Sequence, residues 1–195
     1  MFADDASLVL RCLRNDADAV RALVEQFQGI VYGLCVRLLG DRHDAEDVTQ
    51  EVFIRVFRSL RRWDSTRPLQ PWVLGIAANR CRTWMTRAAR RPVAVGYLED
   101  TAADPRADLP ADDAPELARE LTRALAALRP DYRTAFVLFH ERGQPYEAIA
   151  AVLGRPVGTV KTWLHRARLE LLDALRRRGM VDPQTTGELR MNKVE

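Results

Sequence analysis

Apolar residues recur at three- and four-residue steps along most of this chain, and that period predicts helices rather than strands. Val20, Leu23, Val24, Phe27, Ile30, Val31, Leu34 and Leu38 form the first clear stripe, with Gly40 where a C-terminal cap belongs. A second helix is expected from Asp44, as N-cap, with Asp47 three positions on; Val48, Val52, Phe53, Val56, Phe57 and Leu60 form its buried stripe. Pro71 suits the first turn of a third helix, along which Trp72, Val73, Ile76, Ala77, Arg80 and Trp84 follow at helical steps towards Pro92.

The period then stops. Prolines 92, 105, 110 and 115 sit among small and acidic residues, a composition that cannot bury enough apolar surface to fold alone. Helical spacing resumes with Leu117, Leu121, Leu125 and Leu128, ended by Pro130. Tyr132, Phe136, Val137 and Phe139 predict another helix stopped by Gly143, followed by helices near Tyr146–Leu153 and Val157–Arg177. The expected fold class is all-α, with two small helical domains joined by an acidic, proline-rich linker. Residues 1–91 and 114–181 form the domains, 92–113 the linker, and 182–195 a tail without a motif, expected to be disordered. Twenty-two extended linker residues would reach about 75 Å.

Charge sharpens this outline. The net charge of the 195 residues is only +3, but its distribution is uneven. Between Asn79 and Pro92 stand Arg80, Arg82, Arg87, Arg90 and Arg91 with no acid; between Glu99 and Asp113, six acids face Arg106 alone. Cys12, Cys35 and Cys81 are widely spaced and form no CxxC pair, which argues against a disulfide framework or a zinc site. Asp4 and Asp5 do not suit a signal peptide, and no uninterrupted apolar run approaches the ~18 residues that cross a bilayer. A cytoplasmic protein without membrane insertion is expected. His43, His140 and His165 are isolated, and no Gly-rich phosphate loop is present, so neither a metal nor another cofactor is expected.

The stretch "YEAIAAVLGRPVGTVKTWLHRARLELL" has the form of a helix-turn-helix. Ile149, Ala150, Leu153, Val160 and Leu164 would pack its two helices, with Gly154 in the turn. Its second helix offers Lys161, Thr162, His165, Arg166 and Arg168, residue types that reach phosphates and guanine edges from the major groove. A solvated basic face on an αα-hairpin is the plainer alternative. On the third helix, Asn79, Thr83 and Thr86 recur at helical steps among arginines, a combination suited to an unpaired base and its phosphates.

These motifs resemble two regions of bacterial sigma factors of the extracytoplasmic-function group, in that family's order and spacing over nearly all of residues 17–178. "PYEAIAAVLGRPVGTVKTWLHRARLELL" resembles the fourth region, "DAEDVTQEVFIRVFRSL" the polymerase-binding helix of the second, and "PWVLGIAANRCRTWMTRAARR" its promoter-melting helix. The resemblance implies that Asp47, Gln50 and Glu51 dock on core RNA polymerase. It implies that Trp72, Asn79, Arg82, Thr83, Thr86, Arg87 and Arg90 bind and melt the minus-ten element, Asn79 lining a pocket for a flipped base. Thr159, Lys161, Thr162, His165, Arg166 and Arg168 would bind the minus-thirty-five element. It also implies that the linker threads the polymerase cleft and that an anti-sigma factor restrains the chain. No catalytic residue is expected.

This sequence departs from the family pattern at Trp163, where arginine is common, and at Thr162, where serine is common. "RRW" and "LQPW" replace commoner sequences before the melting helix. A free-standing helix-turn-helix regulator is the alternative of similar class, disfavoured because the first half shows no ligand-sensing or phosphoacceptor pattern. A nucleic-acid enzyme would need a catalytic constellation, and none is found.

Overall fold

The computed structural model describes residues 2–88 and 116–181. The acidic segment, Arg90 and the tail from residue 182 therefore lie outside the described residues.

The first domain is a bundle of α1 (Phe2–Leu13), α2 (Ala17–Leu39), α3 (Arg42–Ser59) and α4 (Leu69–Ala88), with a 3₁₀ turn at Leu60–Arg62. The N-terminal helix α1 was not expected. Its inward residues Val9 and Cys12 are buried, whereas Leu10 is exposed. Asn15 takes a left-handed φ of 60°, tolerable for its short polar side chain, and reverses the chain. Asp16 then caps α2 by accepting from the backbone N–H groups of Asp18 (3.0 Å) and Ala19 (3.1 Å). Arg11 Nε donates to the same carboxylate at 2.8 Å, which holds the Asp16 pKa below its ordinary range.

Helix α2 is the central strut, packed on both α3 and α4. Leu23, Phe27, Val31, Leu34 and Leu38 are buried along one side, and Gly40 ends the helix at φ 79°, with its N–H on the Val36 carbonyl at 2.8 Å. By length and average composition α2 is apolar enough to cross a membrane, although Asp18, Arg21, Glu25 and Arg37 interrupt its apolar run; here its apolar side is the bundle core.

One helix start differs from expectation. Asp41, not Asp44, caps α3, its carboxylate accepting from the Asp44 N–H at 2.8 Å. This frees the Asp44 carboxylate to accept from Trp84 Nε1 at 3.2 Å, tying the start of α3 to α4. Helix α4 begins at Leu69, which places Pro71 in the first turn, as expected, where its missing N–H costs no helical hydrogen bond. Cys35 on α2 and Cys81 on α4 are both fully buried, with Sγ atoms 3.6 Å apart. The Cys81 thiol donates to Cys35; that bond and burial push the Cys81 pKa far up.

The second domain comprises α5 (Glu116–Ala127), α6 (Pro130–Phe136) with a π-helical continuation at Val137–Glu141, α7 (Tyr146–Leu153) and α8 (Val157–Arg177). Leu117, expected in the buried stripe of α5, is exposed, and the inward positions belong to Ala124, Leu125 and Leu128. Glu120 is buried instead, paired with Arg123 and Arg178. The Arg142 N–H reaches the Val137 carbonyl at 3.1 Å, a five-residue step that breaks the 3.6 period of α6. Gly154, at φ 61°, makes the turn between α7 and α8, and Ile149, Ala150, Leu153, Val160 and Leu164 are all buried, as the helix-turn-helix pattern requires.

The two domains pack against each other. One apolar cluster runs from Val9 through Cys81 into Ala135, Val137, Leu138, Ile149, Leu153 and Leu164. A smaller one joins α5, α6 and α8 through Leu125, Leu128, Tyr132, Ala167 and Leu171.

Candidate polymerase and nucleic-acid interfaces

Asp47 and Gln50 stand exposed on α3, one turn apart, because Val48, Val52 and Val56 take the inward positions. The side chain of neither forms a hydrogen bond or ion pair with another described residue. Gln50 also borders an open groove between α2 and α3, with Gln28, Gly29, Tyr32, Glu46 and Thr49. Glu51 differs from both: it turns to α4 and pairs with Arg80, not with Arg55 one turn along its own helix. Arg80 is only 7% exposed, and its hydrogen bond pulls the Glu51 pKa down.

Between α3 and α4 lies a broad cleft of about 710 Å³, floored by Ile76, Asn79, Arg80 and Thr83. Its α3 wall carries Arg55 and Arg58, and the 3₁₀ turn that follows adds Arg62. Those three arginines were not singled out from the sequence, although their i, i+3 and i+7 spacing describes a basic stripe. With Asn79 they give the cleft cationic and amide donors, a lining that suits phosphate and base edges.

The α4 candidates are in different situations. Trp72 is half-buried and packs on the core. The hydroxyls of Thr83 and Thr86 donate to the carbonyls of Asn79 (2.9 Å) and Arg82 (2.8 Å) one turn back, so these residues could meet a ligand only as acceptors or through their methyl groups. Arg87 is exposed at the end of the helix. Asn79 Nδ2 donates to the Val152 carbonyl of α7, and Arg82 pairs with Asp131 of α6 at 3.0 Å. Both partners belong to the second domain.

On α8, Lys161, Thr162 and His165 are exposed at one-turn spacing, and Thr159 is half-buried beside the turn. The Lys161 ammonium lies 5.4 Å from the centre of the Tyr146 ring, and the Thr162 hydroxyl donates to the Gly158 carbonyl at 2.9 Å. Arg166 and Arg168 are engaged elsewhere. Arg166 donates to the Tyr132 hydroxyl at 3.1 Å. Arg168 Nε approaches His140 Nε2 at 3.2 Å, with its guanidinium over Phe139. Burial, and then the Arg168 charge, lower the His140 pKa. Trp163 does not replace the missing family arginine at the surface; it is half-buried, its ring 6.4 Å from that of Tyr132. Among the described residues no His, Cys, Asp or Glu cluster could hold a metal.

Comparison with known proteins bears on both surfaces. A family model described as Sigma-70 region 2 matches residues 23–91, and one described as Sigma-70, region 4 matches residues 118–171. The ECF RNA polymerase sigma factor SigE of Mycolicibacterium smegmatis is 38% identical over 78% of this chain, which spans 60% of that relative's length. The ECF RNA polymerase sigma-E factor of Haemophilus influenzae is 35% identical over 84% of this chain and 91% of its own. Two solved structures share the fold. The sigma factor RpoE of Bartonella quintana, in complex with the anti-sigma factor NepR, has a TM-score of 0.64 at 23% identity, over 80% of this chain and 96% of that one. CnrH, in complex with the cytosolic domain of CnrY, has a TM-score of 0.60 at 25% identity, over 87% of this chain and 96% of its own.

Proposed function

This chain belongs to the ECF RNA polymerase sigma factors, and we propose on that premise that it binds core RNA polymerase in the cytoplasm and directs promoter-specific initiation. The observation that carries the reading is the order of two matched regions, each bringing its own exposed chemistry. In the first, an unpaired Asp47 and Gln50 on α3 would dock on the polymerase, and the arginine-lined cleft beside Asn79 would take the opened minus-ten strand. In the second, α8 presents Lys161, Thr162 and His165 from a helix-turn-helix to the minus-thirty-five element.

Promoter opening would draw on binding free energy alone. Extracting a base costs a few kcal/mol of stacking, and an amide at Asn79 with arginines around it can offset that only if all of them face the strand together. No catalytic group is assigned. The chain acts as a specificity subunit, with an anti-sigma factor as its restraint.

The test is transcription in vitro with core polymerase and this chain on a genomic library, sequencing the transcript starts. Starts that depend on the chain and share upstream elements at two positions support the reading. DNA binding without polymerase, and no chain-dependent starts, would favour a free-standing regulator.

A further inference from the structure

Two cations of the recognition helix rest on aromatic rings. Lys161, His165 and Arg168 fall at i, i+4 and i+7 of α8, so one face carries all three. A ledge of rings from the π-helical segment and the start of α7 lies alongside. Tyr146 stacks on Phe139 with ring centres 4.7 Å apart, Phe139 meets His140 edge-on at 4.9 Å, and Phe136 approaches His140 at 4.5 Å. The Lys161 ammonium is over Tyr146, and the Arg168 guanidinium is 5.7 Å from the centre of Phe139.

The bond from Arg168 Nε to His140 Nε2 makes that ring nitrogen an acceptor, so the ring proton sits on Nδ1 and the imidazole is neutral. It uses one nitrogen of the guanidinium. The two terminal nitrogens have no partner among the described residues. Arg168 is half-buried, two turns and about 10 Å beyond Lys161 along the helix axis. The first residues of a recognition helix meet base edges, so a cation this far along stands against the wall of the groove, where the phosphates are.

We infer that His140 is a positioning residue for a phosphate contact by Arg168: neutral, it fixes the guanidinium on the Phe139 ring with two nitrogens free, and protonated, it releases and repels it. The inference rests on the function proposed above. Holding a long side chain in place before DNA arrives removes part of the ordering cost of the contact. His140 is exposed, so solvent protons reach it. Its partial burial among the rings, and then the charge of Arg168 on α8, lower its pKa from the ordinary 6.5. Glu141, itself paired with Arg37 of α2 at 2.7 Å, pulls the other way, and α7 adds the Tyr146 phenol one ring further off. The acceptor is therefore fully present above that ordinary value and is lost as pH falls through the lowered one.

The test is competition binding of holoenzyme to a promoter fragment whose transcript start depends on this chain, from about pH 8 to about pH 5.5 and across a salt series. Arg168→Ala should weaken binding several-fold at the upper pH and flatten the salt slope by roughly one unit. His140→Ala should reproduce most of that loss, and His140→Ala/Arg168→Ala should be no worse than Arg168→Ala alone. His140→Gln offers a side-chain oxygen that accepts from Arg168 at any pH. It should match wild type at the upper pH and bind several-fold tighter than wild type at the lower one. His165, exposed on the same face, is present in both chains, so its charge cancels in that ratio. Additive losses, tighter binding by His140→Ala, or a His140→Gln profile parallel to wild type overturns the inference. If either His140 variant loses its helical circular dichroism, the gap between wild type and Arg168→Ala decides. That gap should shrink as pH falls, and a constant gap overturns the inference. Wild-type chain that starts no transcription at all would sink the sigma-factor reading and take this inference with it.

Discussion

Arg80 of α4 is buried against the half-exposed carboxylate of Glu51 on α3, so a candidate for the polymerase face is tied to the proposed melting helix by an ion pair. Glu51 therefore has a structural task that Asp47 and Gln50 lack. Glu51→Gln should destabilise the chain by about 1–3 kcal/mol, because a buried guanidinium loses its charged partner. Urea unfolding measures this directly.

The same pair sets a pH dependence. Pairing depresses the folded pKa of Glu51 below its ordinary 4.5. Its stabilisation is thus fully present above that value and is lost as pH falls through the folded pKa. The stability gap between wild type and Glu51→Gln should shrink below about pH 4.5 and close further down. A gap that stays constant from pH 7 to 3 would refute the assignment.

Asp47 and Gln50 offer the cleaner polymerase test. Their joint replacement by alanine breaks no described contact, so circular dichroism and urea midpoint should not change. Core polymerase affinity should fall about tenfold or more, which is ~1.4 kcal/mol or more. Equal affinity would mean that this face is only solvated.

Asn79→Ala is expected to reduce promoter opening more than closed-complex binding. Permanganate reactivity of unpaired thymines reads the bubble and a filter or gel assay reads the closed complex. Parallel loss of the two would contradict a role on an extracted base.

On α8, Lys161→Ala should weaken binding to all upstream sequences alike and flatten the salt slope by roughly one unit, as for a phosphate contact. Arg166 is bound to the Tyr132 hydroxyl, so it must leave that partner to read a base. Tyr132→Phe frees it; if Arg166 reads guanine, this variant should hold or improve discrimination, while Arg166→Ala should lose about 1–3 kcal/mol of it. Competition binding of holoenzyme to matched and substituted elements decides.

The helix-turn-helix was legible because its signals are local: an alternation of buried positions at Ile149, Leu153, Val160 and Leu164, with a glycine at the turn. Most helix ends were equally readable, since Gly40 acts within a few residues of the feature it controls. The cap of α3 was misplaced because Asp41 and Asp44 are one turn apart and both chemically suitable; only Trp84, forty residues away, shows why Asp44 is needed elsewhere. Helix α1 lacks a long stripe and depends on packing over α2. The partners of Arg80, Arg82 and Asn79 are tertiary facts. Spacing along one helix shows which residues share a face, but not what arrives to cover it, and so the joining of the two domains could not be read from periodicity.

The π-helical segment Val137–Glu141 absorbs one residue more than an α-helical turn would hold, because the Arg142 N–H reaches the Val137 carbonyl across five residues rather than four. Deleting one residue between them would turn that bond into an ordinary four-residue step, so the chain from Arg142 onward could keep its place. A deletion in the regular helix α8 has no such buffer: everything beyond it would turn by about 100° and shift along the axis by about 1.5 Å. What the widened turn supplies is local, for it sets Glu141 against Arg37 of α2 and His140 against Arg168 of α8 in consecutive positions. Shortening it would redistribute those two side chains over fewer positions while the flanking helices stayed where they are.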